Sequence, residues 1–254
     1  VNLIDSHVHL DAAEFDTDRD DVLVRARAAG VVDLVVPAVA AGGWEKLREL
    51  VRTLPGLHPA YGLHPMYLAE HLPEHLELLA QWLDREKPVA VGECGLDFFV
   101  DGLDRDDQRR YFNAQLALAR ARDLPVILHA RHAVDEVIAS VRRVGGLRGV
   151  VHSFGGSAEQ ARQLHSLGFL IGIGGAITWS RATRLRAMVA ALPLEQLLLE
   201  SDAPDQPPAD HRGERNEPGL LPGILAAIAS ARGEPEERIA AATRANARTL
   251  FRLC

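Results

Sequence analysis

Eight short apolar runs, each separated from the next by an amphipathic helical stretch, limit the folds open to this sequence. The runs are Leu3–Ser6, Val31–Val36, Leu57–Tyr61, Val89–Gly92, Val126–Leu128, Val150–Val151, Phe169–Ile173 and Leu197–Glu200. Short, nearly continuous apolar runs are the signature of parallel strands buried on both faces. The stretches between them have usable helix ends. Trp44, Leu47, Leu50, Val51 and Leu54 recur at helical spacing. Ser157-Ala-Glu-Gln160 reads as a capping box, with Gly168 closing the far end. Pro88 and Pro125 each stop a helix ahead of a strand. Eight such repeats predict a (β/α)8 TIM barrel that takes up residues 1–254 as one domain. The competing open, doubly wound sheet would need a glycine-rich phosphate loop after its first strand. His7-Val-His9 stands there instead.

In such a barrel, chemistry sits at the C-terminal ends of the strands. Six of the eight ends here carry a residue of metal-ligand type. They are Asp5-Ser-His7-Val-His9, Tyr61-Gly-Leu-His64, Gly92-Glu93-Cys-Gly-Leu-Asp97, Leu128-His129-Ala-Arg131, Val151-His152 and Glu200-Ser-Asp202. A lone histidine at a strand end says little, but the same fold would bring all of these to one point. Residues two apart on a strand share a face, so His7 and His9 can grip one ion together. With Glu93, His129, His152 and Asp202 the set suffices for two divalent ions, and Glu93 is the natural bridge because a carboxylate has two oxygens. A carboxylated lysine bridge is excluded, since neither Lys46 nor Lys87 lies at a strand's C-terminal end. Alternation also places Asp5 below His7 and His9, and Glu200 below Asp202. The expectation is that one or both orient a ligating imidazole through its other nitrogen.

The remaining composition mostly excludes. A net charge of −7 argues against a uniformly basic nucleic-acid-binding surface but allows a local basic mouth. The two cysteines build no disulfide framework, and with no signal peptide legible at Val1–Leu10 a cytoplasmic location is expected. No apolar run reaches membrane-spanning length. Cys94 alternates away from Glu93 and reads as buried and inert. His58, His71, His75 and His165 read as helix or surface residues. Trp179 either stacks on a base or covers the rim.

Several segments, in order along the whole chain, resemble the TatD family of metal-dependent hydrolases and nucleases, in particular its YjjV-like branch. They are Ile4-Asp-Ser-His-Val-His9, Gly62-Leu-His-Pro65, Val91-Gly-Glu-Cys-Gly-Leu-Asp97, Pro125-Val-Ile-Leu-His-Ala-Arg131, Val151-His-Ser-Phe154, Leu198-Leu-Glu-Ser-Asp-Ala-Pro204, Arg215-Asn-Glu-Pro218 and Asn246-Ala-Arg-Thr-Leu-Phe251. The resemblance implies a dinuclear centre, with His7, His9, Glu93 and Asp202 on one ion and Glu93, His129 and His152 on the other. It implies that His64, Arg131 and the Arg215–Glu217 segment face substrate, with Asp202, Glu93 and His64 in catalytic roles. The ions expected are Mg2+, Mn2+ or Zn2+. The substrate expected is a single-stranded DNA or RNA end, cut from the 3′ side, with no membrane and no obligate protein partner. Ser153 stands where cysteine is common, and His132 where a second basic residue is usual, so the departures touch substrate preference rather than the metal set. The alternative is a small-molecule metallohydrolase acting on an amide, lactone or organophosphate ester, since the same barrel hosts those reactions.

Overall fold

The computed structural model describes residues 1–253. Eight parallel strands form one sheet in chain order: β1 (Leu3–Asp5), β2 (Val31–Pro37), β3 (Leu57–Tyr61), β4 (Ala90–Asp97), β5 (Val126–Arg131), β6 (Gly149–Val151), β7 (Phe169–Ile173) and β8 (Leu197–Leu199). The helices are α1 (Arg19–Ala28), α2 (Trp44–Thr53), α3 (His75–Glu86), α4 (Arg105–Ala121), α5 (Val134–Val144), α6 (Ala158–Ser166), α7 (Thr183–Ala191), α8 (Leu221–Arg232) and α9 (Glu236–Phe251). The chain folds as the TIM barrel that its pattern predicts. The expected capping box forms: Ser157 N–H donates to Gln160 Oε1 at 2.8 Å, and Gln160 N–H to Ser157 Oγ at 3.2 Å. No helix among the described residues is long and apolar enough to cross a membrane.

The first and last strands meet through backbone bonds rather than a regular ladder. Ser6 N–H donates to Leu199 O at 3.0 Å, and Asp202 N–H to His7 O at 2.9 Å. The Asp5 carboxylate completes this seam. It accepts Ser201 N–H at 2.9 Å and Ser201 Oγ–H at 2.6 Å.

Strand side chains alternate between two cores. One face packs under the helices in a large apolar shell. The other points into the barrel, where Ile4, Val35, Ala60, Ala90, Ile127, Val150 and Leu198 fill the interior. Leu250 and Phe251 of α9 pack against that inner set and plug the N-terminal end. Polar side chains can therefore gather only at the opposite end, where the strands finish.

β4 and β5 run further than their apolar stretches predict, reaching Asp97 and Arg131. All of β4 is buried, Glu93 and Asp97 included. Gly95 makes the close approach of β4 to β5 possible: at its φ of +148°, a Cβ would lie 2.0 Å from the His129 carbonyl oxygen. Cys94 is fully buried beneath this pair, and burial pushes its thiol up.

Candidate metal centre

Each polar strand end feeds one cluster. His7 Nε2 lies 3.1 Å from Glu93 Oε2, and His9 Nε2 lies 3.4 Å from the same oxygen. On the other side, His129 Nδ1 is 3.2 Å and His152 Nε2 is 2.7 Å from Glu93 Oε1. Asp202 Oδ1 stands 3.4 Å from His7 Nε2. Glu93 is 1% exposed and His7 fully buried, while His9 opens toward the cavity. Three groupings, His7–Glu93–His152, His7–His9–Asp202 and His64–Glu93–His129, are each compact enough to hold an ion.

Hydrogen bonds to the outer ring nitrogens decide which inner nitrogens carry lone pairs. His9 Nδ1 faces the Pro37 carbonyl at 3.1 Å, so it must donate, and Nε2 is left with its lone pair. His129 Nε2 donates to Asp97 Oδ2 at 2.9 Å, so its Nδ1 likewise presents a lone pair. These lone pairs face other imidazole nitrogens: His9 Nε2 is 3.2 Å from His7 Nε2, and His129 Nδ1 is 3.2 Å from His152 Nε2. Glu93 Oε2, His7 Nδ1 and His152 Nδ1 are buried without a hydrogen-bond partner. Acceptors so crowded need positive charge between them. That demand shows in proton affinity. Against the penalty of burial, Glu93 and Asp202 push His9 up to about 9 and His152 to about 10. Burial pushes the Glu93 carboxyl up, but His152, His64 and His7 outweigh it and hold the group well below the usual range. The donor set therefore fits divalent cations, hard or borderline, in mixed nitrogen and oxygen coordination.

His64 differs. Its Nδ1 accepts the Met66 N–H at 3.1 Å, so the neutral ring carries its proton on Nε2, 2.9 Å from Glu93 Oε1. It is a donor at the edge of the cluster rather than a lone-pair ligand. Two glutamines of α4 hold this region. Gln115 clasps both backbone groups of Leu63, at 2.8 and 3.0 Å, and Gln108 clasps Asp97 in the same way, at 2.7 and 2.8 Å. His71, read from the sequence as a helix or surface residue, is instead buried and donates to His64 O at 2.9 Å.

The expected orienting carboxylates are corrected by the geometry. Asp5 touches no imidazole side chain; its oxygens are taken by Ser201 and by His7 N–H at 3.3 Å. Glu200 accepts Ser153 N–H at 2.5 Å and stands 4.0 Å from His152 Nδ1, beyond hydrogen-bond reach. It fits only because Gly172 lies beneath it, where a Cβ would come within 2.1 Å of Oε2. Burial pushes Asp5 up to about 7 and Glu200 to about 8. The carboxylate that does orient a ring is Asp97. Burial pushes Asp97 up as well, but bonds from His129 and the Val100 and Phe99 N–H groups outweigh it and hold it at about 2.

The cluster floors a cavity of about 1330 Å3. Arg131 lines it, its guanidinium 3.7 Å from the centroid of the half-exposed Phe99 ring, with no carboxylate partner among the described residues. Arg215 does not line it. Its fork is taken by Asp18, at 2.8 and 2.7 Å, which ties the β8 loop to the start of α1. Non-glycine residues in the left-handed region, His132, Ser153, Asp202 and Gln206, gather at this rim, where strained backbone re-aims side chains.

A family model described as TatD related DNase matches residues 4–252. This chain belongs to the TatD family. As a TatD protein it is 42% identical to an uncharacterized metal-dependent hydrolase, YjjV, of Escherichia coli K12, over 98% of this chain and 97% of that one. It is 36% identical to a 3′-5′ ssDNA/RNA exonuclease TatD of Klebsiella pneumoniae, over 98% of this chain and 97% of that one. Among solved TatD structures, that of E. coli YjjV, a TatD homologue, superposes with a TM-score of 0.94 at 40% identity, over 99% of this chain and 98% of that one. The protein is a TatD-family metal-dependent hydrolase.

Proposed function

We propose that this protein is a phosphodiesterase that trims single-stranded DNA or RNA from the 3′ end, using two divalent ions, Mg2+, Mn2+ or Zn2+, that the cluster around Glu93 would hold. The observation that carries the reading is the pairing of imidazoles: His7 and His9 converge on one oxygen of Glu93, His129 and His152 on the other. His7, His9, Glu93 and Asp202 would hold one ion, and Glu93, His129 and His152 the second. Bound there, such ions supply charge neutralisation for a phosphate and lower the pKa of a water toward neutrality. Asp202, steadied on its Oδ2 side by Gln206, accepts the proton of the attacking water. His64, whose Nε2–H faces Glu93 Oε1, would reach a nonbridging phosphate oxygen only by turning that hydrogen away once a cation takes the Glu93 oxygen, and Arg131 offers its fork from the cavity wall. The relatives named as 3′-5′ ssDNA/RNA exonucleases support this substrate class.

A second reading has one observation in its favour. Asp11, Glu14, Asp135, Glu136 and Asp205 also line the main cavity, and they suit a compact uncharged ester or amide better than a polyanion. The deciding experiment adds Mg2+, Mn2+ or Zn2+ in turn to metal-stripped protein with 5′-labelled single-stranded DNA, beside a Glu93→Ala control. The expected result is a ladder that shortens from the 3′ end and is absent in the control. No cleavage by protein that has bound metal would overturn the nuclease reading in favour of the small-molecule one.

A further inference from the structure

Past Ser153, Gly155 and Gln160, which line both spaces, the main cavity continues into a second one of about 860 Å3 between the β6–α6 loop and the start of α7. That is within the roughly 300–1,000 Å3 of ordinary ligand sites. The two spaces differ in charge. The second has no aspartate or glutamate in its lining. Phe154, Leu185 and Met188 give it apolar walls, and Arg181 and Arg184 stand at its edge. Both arginines are exposed, and neither has a carboxylate partner among the described residues; Arg181 lies against the Trp179 ring, 5.3 Å from its centroid. The α7 helix opens here with no side-chain cap and no acidic residue in its first turn, which adds to the positive potential.

A strand whose terminal phosphodiester lies at Glu93 must send the rest of its chain out of the site. The acid-lined rim repels it, and the second cavity is the neighbouring space with matching charge and an apolar wall for a base. We propose that this second cavity is the subsite for the nucleotide on the 5′ side of the scissile bond, with its base against Leu185 and Met188 and its phosphate on Arg181 and Arg184. This rests on the phosphodiesterase reading above.

The test compares wild type with an Arg181→Ala/Arg184→Ala double variant, both full-length and loaded with the activating metal. One substrate is a short single-stranded oligonucleotide. The other is bis(4-nitrophenyl) phosphate, a diester too small to reach the second cavity. Neither arginine lies in the metal cluster, so hydrolysis of the small diester should be unchanged. For the oligonucleotide, kcat/KM should fall about tenfold or more. The salt dependence of its binding should become shallower by about 0.7 in log–log slope, the value for one single-strand phosphate that is no longer neutralised. An unchanged oligonucleotide rate, or an equal fall on both substrates, overturns the subsite and leaves the nuclease reading intact. Wild type that cleaves the small diester but no oligonucleotide overturns the nucleic-acid reading and the subsite with it. Wild type inert on both overturns the phosphodiesterase reading itself.

Discussion

The two halves of the cluster rest on different foundations. Glu93, His129 and His152 come from β4, β5 and the end of β6, three consecutive strands. Within this half His129 leans on a buried carboxylate, Asp97, itself held by backbone N–H groups at 2.9 and 3.1 Å. An anionic partner makes an imidazole a better donor. His7, His9 and Asp202 instead straddle the seam between β1 and β8, where the barrel closes. There His9 leans on a neutral peptide carbonyl, and His7 Nδ1 has no partner. One half is tuned by side-chain chemistry, the other by the closure of the sheet.

The largest expected effect removes what the halves share. Glu93→Gln should lower the bound metal below two ions per chain and cut hydrolysis on the order of 1,000-fold or more, several kcal/mol of transition-state stabilisation. Metal counting by atomic emission beside kinetics checks it; two retained ions with normal rates would dissolve the picture of a bridge. An intermediate effect separates the halves. Asp97→Asn should weaken one of two binding phases in a calorimetric zinc titration by about 10–100-fold and leave the other in place. Equal shifts in both phases would mean that the halves are not independent.

The smallest effect probes the seam. The Asp5 carboxyl is raised by burial from its ordinary value of 3.8 to about 7, despite hydrogen bonds from Ser201. A raised acid contributes its stability in full below the unfolded value and loses it as pH rises through the folded one. Asparagine cannot ionise there. In metal-stripped protein the Tm of Asp5→Asn relative to wild type should therefore climb between about pH 4 and pH 7, by on the order of a few degrees, and level off above. A pH-independent difference would remove Asp5 from the seam's charge balance.

The barrel is legible in the sequence because its strands are apolar on both faces; β3 and β7 begin and end where their runs do. β4 and β5 run longer, since an apolar-run reading halts at the first polar residues, and there Glu93, Asp97 and His129 are the side chains that turn to the cluster. The two-residue spacing also anticipates the meeting of His7 and His9, although both lie just past the end of β1. Strand alternation points to Asp5 and Glu200 as orienting carboxylates and misses Asp97, because that role depends on register between strands: His129 pairs with Gly95, which sets its ring beside Asp97. Arg215 shows the same limit. Its place after β8 suggests the mouth, but its partner Asp18 lies at the other end of the chain. Gln108 and Gln115 carry no local signal; their role exists only once α4 packs over the strand ends.

The seam also orders events during synthesis. Glu93, His129 and His152 are all present once residue 152 has been added, and their strands are neighbours. The opposing half needs His7 and His9, just past the first strand, to meet Asp202 just after the last, across bonds such as Asp202 N–H to His7 O. A growing chain can thus assemble only one side of its cation cradle. The other side comes into being when β8 docks on β1, so a chain that stops short of residue 202 carries only half of the cluster.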